Sequence, residues 1–391
     1  MITPPATSES GTGFARRDVR KRFTRLRGRR LERPGLETAR VLAYLLSAAI
    51  QAIPAALMAA ALVIVISSYD NVLAWLCGCG LATVAIWSRP RALRLPDDAE
   101  EVIRAEAPAL FEAADRIARA VGAVPPAAIY LHDRLFSCAH LRVGARRRPT
   151  LLIGLPLLLA ISPRERAGML GVACAEDVSR DPARGLFVRS ALLTAGEWRN
   201  ALLNVRVQQY SWYGDPVVEL FGHPFPAERS ASQVVGKIMG AALGSPLFLA
   251  EFALTRLVSG QSQVARYYAD QVAARAVSTP AVLHYLDALV MAESRFTPIL
   301  SAARRGETIG EIRRTVLRSG EVDRETVTSQ REASLAQRSW RDLEPPLALR
   351  AALLEAGDAE EGSTGVDEAE SEGIDTELSR HLARAVRALT L

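Results

Sequence analysis

Residues 41–66, VLAYLLSAAIQAIPAALMAAALVIVI, run for 26 positions without a charged side chain. A helix needs roughly 20 apolar residues to cross a hydrocarbon core, so this stretch predicts a membrane span. Pro54 lies inside it, where lipid-embedded helices tolerate proline better than soluble ones do. A polar link, Ser67 to Asp70, leads to a second uncharged run, NVLAWLCGCGLATVAIW at 71–87. Together the two runs predict a two-helix transmembrane hairpin over 41–88. A cleaved signal peptide fits less well, because the first run is about twice the usual apolar length and begins far into the chain.

The flanking charges predict orientation. Eleven bases stand between residues 16 and 40 (Arg16, Arg17, Arg20, Lys21, Arg22, Arg25, Arg27, Arg29, Arg30, Arg33, Arg40) against Asp18, Glu32 and Glu37. Arg89, Arg91 and Arg94 follow the second run, and the link between the runs has no base. Basic residues near span ends stay in the cytoplasm, which predicts a multi-pass protein of the cell membrane with both termini and the main domain cytoplasmic. Residues 1–40 read as a disordered basic arm. The opposite end is acidic, with ten acids and no base from Glu355 to Glu377, so 351–391 reads as a disordered tail apart from a short helix over 376–389. Nucleic acid is a competing partner for the arm, but only Phe14 and Phe23 are there to stack on bases, and the lipid bilayer is the expected partner. The four cysteines, Cys77, Cys79, Cys138 and Cys174, lie in apolar runs and core segments, which argues against a disulfide scaffold.

Residues 92–350 read as one large unit. APALFEAADRIARAVG (107–122) places Leu110, Ala113, Ala114, Ile117 and Val121 at helical spacing, with Gly122 able to cap its end. AAIYL (127–131), CAHLRV (138–143) and TLLIGL (150–155) read as strands, the last two joined by a turn-rich GARRRP. Beyond Ile161 the pattern is almost wholly helical. The fold class expected is therefore α+β, mostly helical, with a small antiparallel sheet. The clearest helix signal is Ser162-Pro163-Arg164-Glu165: an N-cap serine, a proline at the first helical position and a capping-box glutamate, predicting a helix over 163–178.

The order APALFEAADRIARAVG, AAIYL, LLIGLPLLLAISPRERAGMLG, SRDPARGL and SQVARYYAD resembles the membrane-associated zinc metallopeptidases of family 48, the relatives of HtpX and of the CAAX prenyl protease. The resemblance covers roughly residues 90–300. It implies a zincin-like (gluzincin) domain behind the membrane hairpin, and a zinc ion. In that family an HExxH helix carries two histidines, with the glutamate between them as general base. Glu165 upstream and Ser179-Arg180-Asp181 downstream fix the register, so the first histidine position falls on Val172, the catalytic glutamate on Ala173 and the second histidine on Glu176. The third ligand, a glutamate, falls on Arg266 in SQVARYYAD, and a guanidinium cannot coordinate zinc. LEPPLALR (343–350) resembles a further family element, with Glu344 in place of its histidine and with Arg350 retained.

What the resemblance implies for chemistry is a loss: no catalytic residue is intact, and no zinc or other cofactor is expected. Glu176 and Arg266 bring opposite charges to positions where two ligands meet one metal. We expect an ion pair to have replaced the metal, with Asp270, a turn beyond Arg266, accepting a further bond from its guanidinium. The function expected is that of a pseudopeptidase that binds a polypeptide or an active homologue; the alternative is an active membrane-associated hydrolase using other residues. A replacement metal site at His132, Cys138 and His140 is weaker than a reading of these residues as core. IMGAALGSPLFLAEFALTRLV (238–258) is apolar enough for a third span, but Glu251 and Arg256 interrupt it and favour a buried helix. Trp198, Tyr210, Trp212 and Tyr213 read as core or as a surface near lipid head groups. His223, His284 and His381 stand isolated and carry no functional expectation.

Overall fold

The computed structural model describes residues 9–35, 37–90, 95–96, 98–144, 146–203, 233–319, 324–335 and 343–388. Tyr210, Trp212, Tyr213 and His223 fall outside them. The chain is mostly helical. In order, it runs through α1 (Glu9–Leu26), α2 (Thr38–Ser67), α3 (Val72–Trp87), β1 (Glu100–Val102), α4 (Pro108–Val121), β2 (Ala128–His132), β3 (Cys138–Val143), β4 (Arg148–Gly154), α5 (Leu155–Ala160), α6 (Pro163–Val178) and α7 (Leu186–Leu203). Then follow α8 (Gln233–Val277), α9 (Thr279–Val290), α10 (Ala292–Arg304), α11 (Ile309–Ser319), α12 (Arg324–Ser334), α13 (Leu347–Glu355), α14 (Glu368–Glu377) and α15 (Ser379–Ala388).

The sheet is mixed, which corrects the antiparallel expectation. Its strand order is β1-β2-β4-β3; β1 and β3 are antiparallel to their neighbours, whereas β2 and β4 run parallel. After β2 the chain crosses over through residues 133–137 and leaves room for β4 to insert between β2 and β3. Gly154 permits that crossover: a Cβ there would lie 1.8 Å from the Leu135 carbonyl oxygen. The edge strand β1 carried no sequence signal, being only three residues long.

Helix α6 is the centre of the body. Ser162 Oγ accepts from Glu165 N, and Glu165 Oε2 accepts from Ser162 N at 2.7 Å, so both halves of the capping box are made. Glu165 also pairs with Arg295 of α10 at 2.8 Å. Every residue from Glu165 to Glu176 is buried, because helices cover α6 on several sides. Gly168 is where α9 comes closest: a Cβ at that position would sit 2.2 Å from the Ala281 carbonyl oxygen. Leu110, Ala113, Ile117 and Val121 of α4 join the same core with Ile129, Leu151, Val172, Ala273 and Tyr285.

Both ends of the chain depart from the disorder expected of them. The arm 1–40 contains α1, whose Phe23 and Leu26 pack beside Leu31, Tyr267 and Leu353. The acidic tail carries α14 and α15, and its Val366, Ile374, Leu378, Leu382 and Ala385 belong to the main core, so the body continues past 350. The acids find specific partners. Glu370 meets Arg116 at 2.7 Å, Asp375 meets Arg166 at 2.5 Å and Arg313 besides, and both Glu377 oxygens accept from the first turn of α4, at Ala109 N and Leu110 N. A carboxylate at a helix N-terminus satisfies amides that have no partner within the helix.

Helix α2 is long and apolar enough to cross a membrane, and among the described residues it alone meets both tests. Its 30 residues span about 45 Å at 1.5 Å per residue. Helix α3 is shorter, 16 residues or about 24 Å. The two helices pack, with Gly78 lying over Ala61 and Val65, and Leu62, Val63, Ile66, Val72, Leu73 and Leu76 are all more than half exposed around their connection. The first half of α2 lies against the body instead: Ala43 and Ile50 cluster with Val188 and Leu192 of α7 and with Leu254 and Val258 of α8. Residues 238–258 form part of the 45-residue α8, and within them Glu251 and Leu254 are fully buried while Leu249 and Phe252 are exposed.

Candidate functional site

Three sequence-distant segments meet at the C-terminal end of α6. The α6 segment supplies Glu176, the middle of α8 supplies Arg266 and Asp270, and the segment leading into α13 supplies Glu344 and Arg350. Val172 and Ala173, where the resemblance leads one to expect a metal ligand and a catalytic base, are buried apolar residues of the main core. Glu176 and Arg266 are in contact, one Glu176 oxygen against an Arg266 terminal nitrogen, and both side chains are buried, at 3 % and 8 % exposure.

A second arginine shares that carboxylate. Arg184 lies in a one-turn 3-10 helix, Pro182–Arg184, that Asp181 caps by accepting from Ala183 N at 2.9 Å. From there its Nη1 reaches the other Glu176 oxygen at 2.5 Å. Glu344 completes the arrangement, 3.3 Å from Arg266 and 3.7 Å from Arg184. Two carboxylates and two guanidiniums thus alternate, each touching both members of the opposite charge. Sequence reasoning missed Arg184. The signal was present in Asp181-Pro182-Ala183-Arg184, since an aspartate cap followed by proline makes a tight turn that returns a residue three positions later toward the cap.

Asp270 is not a partner of Arg266, which corrects the expectation drawn from their one-turn separation. It accepts from Arg350 instead, in a two-point pair at 2.8 Å (Nε) and 2.7 Å (Nη2), with both side chains fully buried. A planar guanidinium matches a carboxylate in this way, and such pairs are shorter and stronger than neutral hydrogen bonds. About two turns before Asp270 on α8, Ser262 donates to Asp181 at 2.6 Å and ties the 179–185 turn to that helix.

The electrostatics follow from burial and charge alternation. Burial opposes ionisation of Glu344, yet the guanidiniums of Arg266, Arg350 and Arg184 together hold its carboxyl below the usual range. Burial pulls the Arg266 guanidinium down, and Arg350 beside it acts in the same direction. For Arg350 itself burial is outweighed by Asp270, which raises its pKa above the ordinary arginine value. Asp181, deep in the turn, is raised by burial despite Arg184 at 3.9 Å.

Zinc is held by neutral imidazoles, thiolates or carboxylates in a tetrahedral set, with an open position for water when the site is catalytic. These residues do not fit that description. Val172 has no donor atom, Arg266 is a cation, and both Glu176 oxygens are engaged by guanidiniums. Among the described residues no group of three or more His, Cys, Asp or Glu side chains is placed to hold a metal ion.

The His132, Cys138 and His140 trio is dispersed into separate roles. His132 Nδ1 accepts from Arg134 N and Leu135 N, while its Nε2 lies 3.0 Å from Asp98. Cys138 is buried, which pushes its thiol well up. His140 is buried beside the cluster, its Nδ1 3.9 Å from Asp177 and its carbonyl oxygen facing Arg184. Trp198 is buried in the apolar cluster shared by α2, α7 and α8; His284 is exposed, and His381 pairs with Glu100 at 3.0 Å. No family model, no curated protein and no solved structure matches this chain.

Proposed function

We propose that this chain is a membrane-anchored, metallopeptidase-like protein without peptidase activity, which acts by binding a polypeptide or a partner subunit such as an active relative. One observation carries the reading. The segments that the resemblance assigns to the metal site, 172–176, 266–270 and 344–350, converge, and they converge as a closed set of ion pairs among Glu176, Arg184, Arg266 and Glu344. A zinc hydrolase needs a metal to lower the pKa of its bound water and a carboxylate free to take the proton. In this cluster Ala173 stands at the base position, and the nearest carboxylates are occupied by arginines. An ion pair in place of the metal keeps α6 and α8 joined where the zinc would have joined them.

The membrane anchor is the helix pair α2–α3, with both termini and the body on the cytoplasmic side. The apolar side chains exposed around residues 62–76 favour lipid over water as their surroundings, since contiguous apolar patches of that kind are rare on soluble proteins. The test uses the full chain in neutral detergent with a fluorescently labelled unfolded polypeptide, with and without added zinc. Saturable binding without cleavage under both conditions is the expected result. Zinc-dependent cleavage, or no binding, would overturn the reading.

A further inference from the structure

Helix α1 has two faces of different chemistry. Val19 is buried, and Phe23 and Leu26 pack toward Tyr267 on α8, whereas Arg17, Arg20, Lys21 and Thr24, at helical spacing on the opposite side, are exposed. None of the three cations has an ion-pair partner among the described residues.

The contacts of α1 also fix its height along α8. Asp18 pairs with Arg256, Arg22 donates to Gln263 at 3.1 Å, and Leu31 N donates to Gln271 at 2.9 Å, so α1 runs in the same direction as α8. Glu37, the residue before α2, accepts from Gln261. The first turns of α2 cluster with Leu254 and Val258. The Asp18 end of α1 therefore lies level with the first turns of α2, where Val41, Leu42 and Leu45 expose apolar side chains. By contrast, Arg29, whose carbonyl accepts from Gln271 at 2.9 Å, lies about 22 Å further along the α8 axis at 1.5 Å per residue.

We propose that the outward face of α1 is a binding surface for anionic phospholipid head groups, with Arg17, Arg20 and Lys21 as the residues that meet them. The proposal rests on α2 lying in a membrane. Unpaired cations beside a membrane-entering helix are attracted to acidic lipid, and the attraction fades over a Debye length of about 8–10 Å. That range includes the Asp18 end of the helix and excludes Arg29 and Arg30. Phe23 of this helix is turned into the body and offers no stacking surface to a nucleic acid.

The test begins with the full chain in cell membranes and proceeds to extraction in neutral detergent with an equimolar mixture of phosphatidylserine and phosphatidylcholine, the retained lipid being counted by mass spectrometry. The wild type is expected to retain phosphatidylserine preferentially. At about fivefold per cation, Arg17→Gln/Lys21→Gln/Arg20→Gln combined should weaken that preference by about a hundredfold, while Arg29→Gln/Arg30→Gln leaves it unchanged. Equal retention of the two lipids by the wild type, an equal loss in both variants, or displacement by single-stranded RNA would each overturn the proposal. Release of the wild-type chain from membranes by an alkaline wash would overturn the membrane reading together with it, whereas a retained chain without lipid preference overturns this proposal alone.

Discussion

Removing the guanidinium of Arg350 should be among the most damaging single changes in this protein. Arg350 and Asp270 are both fully buried and bonded at two points, 2.8 and 2.7 Å. Arg350→Met keeps most of the side-chain volume but leaves the Asp270 carboxylate buried without its partner. Breaking a buried pair from one side costs about 3 to 5 kcal/mol, because the remaining charge is uncompensated. At about 2 °C per kcal/mol for a body of this size, thermal unfolding should fall by about 6 to 10 °C. Replacing both residues, as Arg350→Met/Asp270→Leu, should recover most of that loss, since apolar substitutes for a buried pair are often neutral or stabilising. The assay is thermal unfolding of the full chain in detergent, followed by near-UV circular dichroism. A shift under about 2 °C for the single variant, the range of an exposed pair, would refute the reasoning, as would a double variant no more stable than the single one.

Glu176→Gln and Arg266→Met, measured singly and together, should show a coupling of about 1 to 3 kcal/mol in unfolding free energy, because their side chains share one buried contact; additive effects would contradict this. Burial lowers the His140 pKa even with Asp177 opposite, so the unfolded chain takes up a proton more readily than the folded one. The stability this contributes is present above about pH 6.5 and is lost as the pH falls below it, and His140→Leu should flatten that part of a melting-temperature profile; an unchanged slope would contradict this. Gly168→Ala should destabilise by about 1 to 3 kcal/mol in denaturant titration, since its Cβ would lie 2.2 Å from the Ala281 carbonyl oxygen.

Local signals were legible wherever a few neighbouring residues carry the physics. Ser162, Pro163 and Glu165 place the start of α6, and short apolar runs bounded by turn residues place β2 to β4. Strand order was not legible, because it depends on where the chain passes between residues 132 and 138 and on Gly154 admitting the Leu135 carbonyl beneath it. Charge blocks misled for a related reason. Ten acids near one end look solvated when only their neighbours are considered, whereas Glu370, Asp375 and Glu377 are matched to Arg116, Arg166 and the amides of α4, more than two hundred residues away. At the candidate site the family resemblance pointed to Glu176, Arg266, Asp270, Glu344 and Arg350, but not to the pairing of Asp270 with Arg350 or to Arg184. Asp270 turns to Arg350, and Arg184 enters from a tight turn, because side-chain direction and the path of the 343–350 segment decide who meets whom.

The central claim is that arginine–carboxylate pairs stand where a zinc ion would. It is tested most directly by the zinc content of the full wild-type chain, purified from membranes without chelator in zinc-supplemented buffer and measured by elemental mass spectrometry. The account predicts well under about 0.1 zinc per chain, since a catalytic site needs three protein ligands and these positions do not supply them. One zinc per chain, lost on Glu176→Gln, would contradict it.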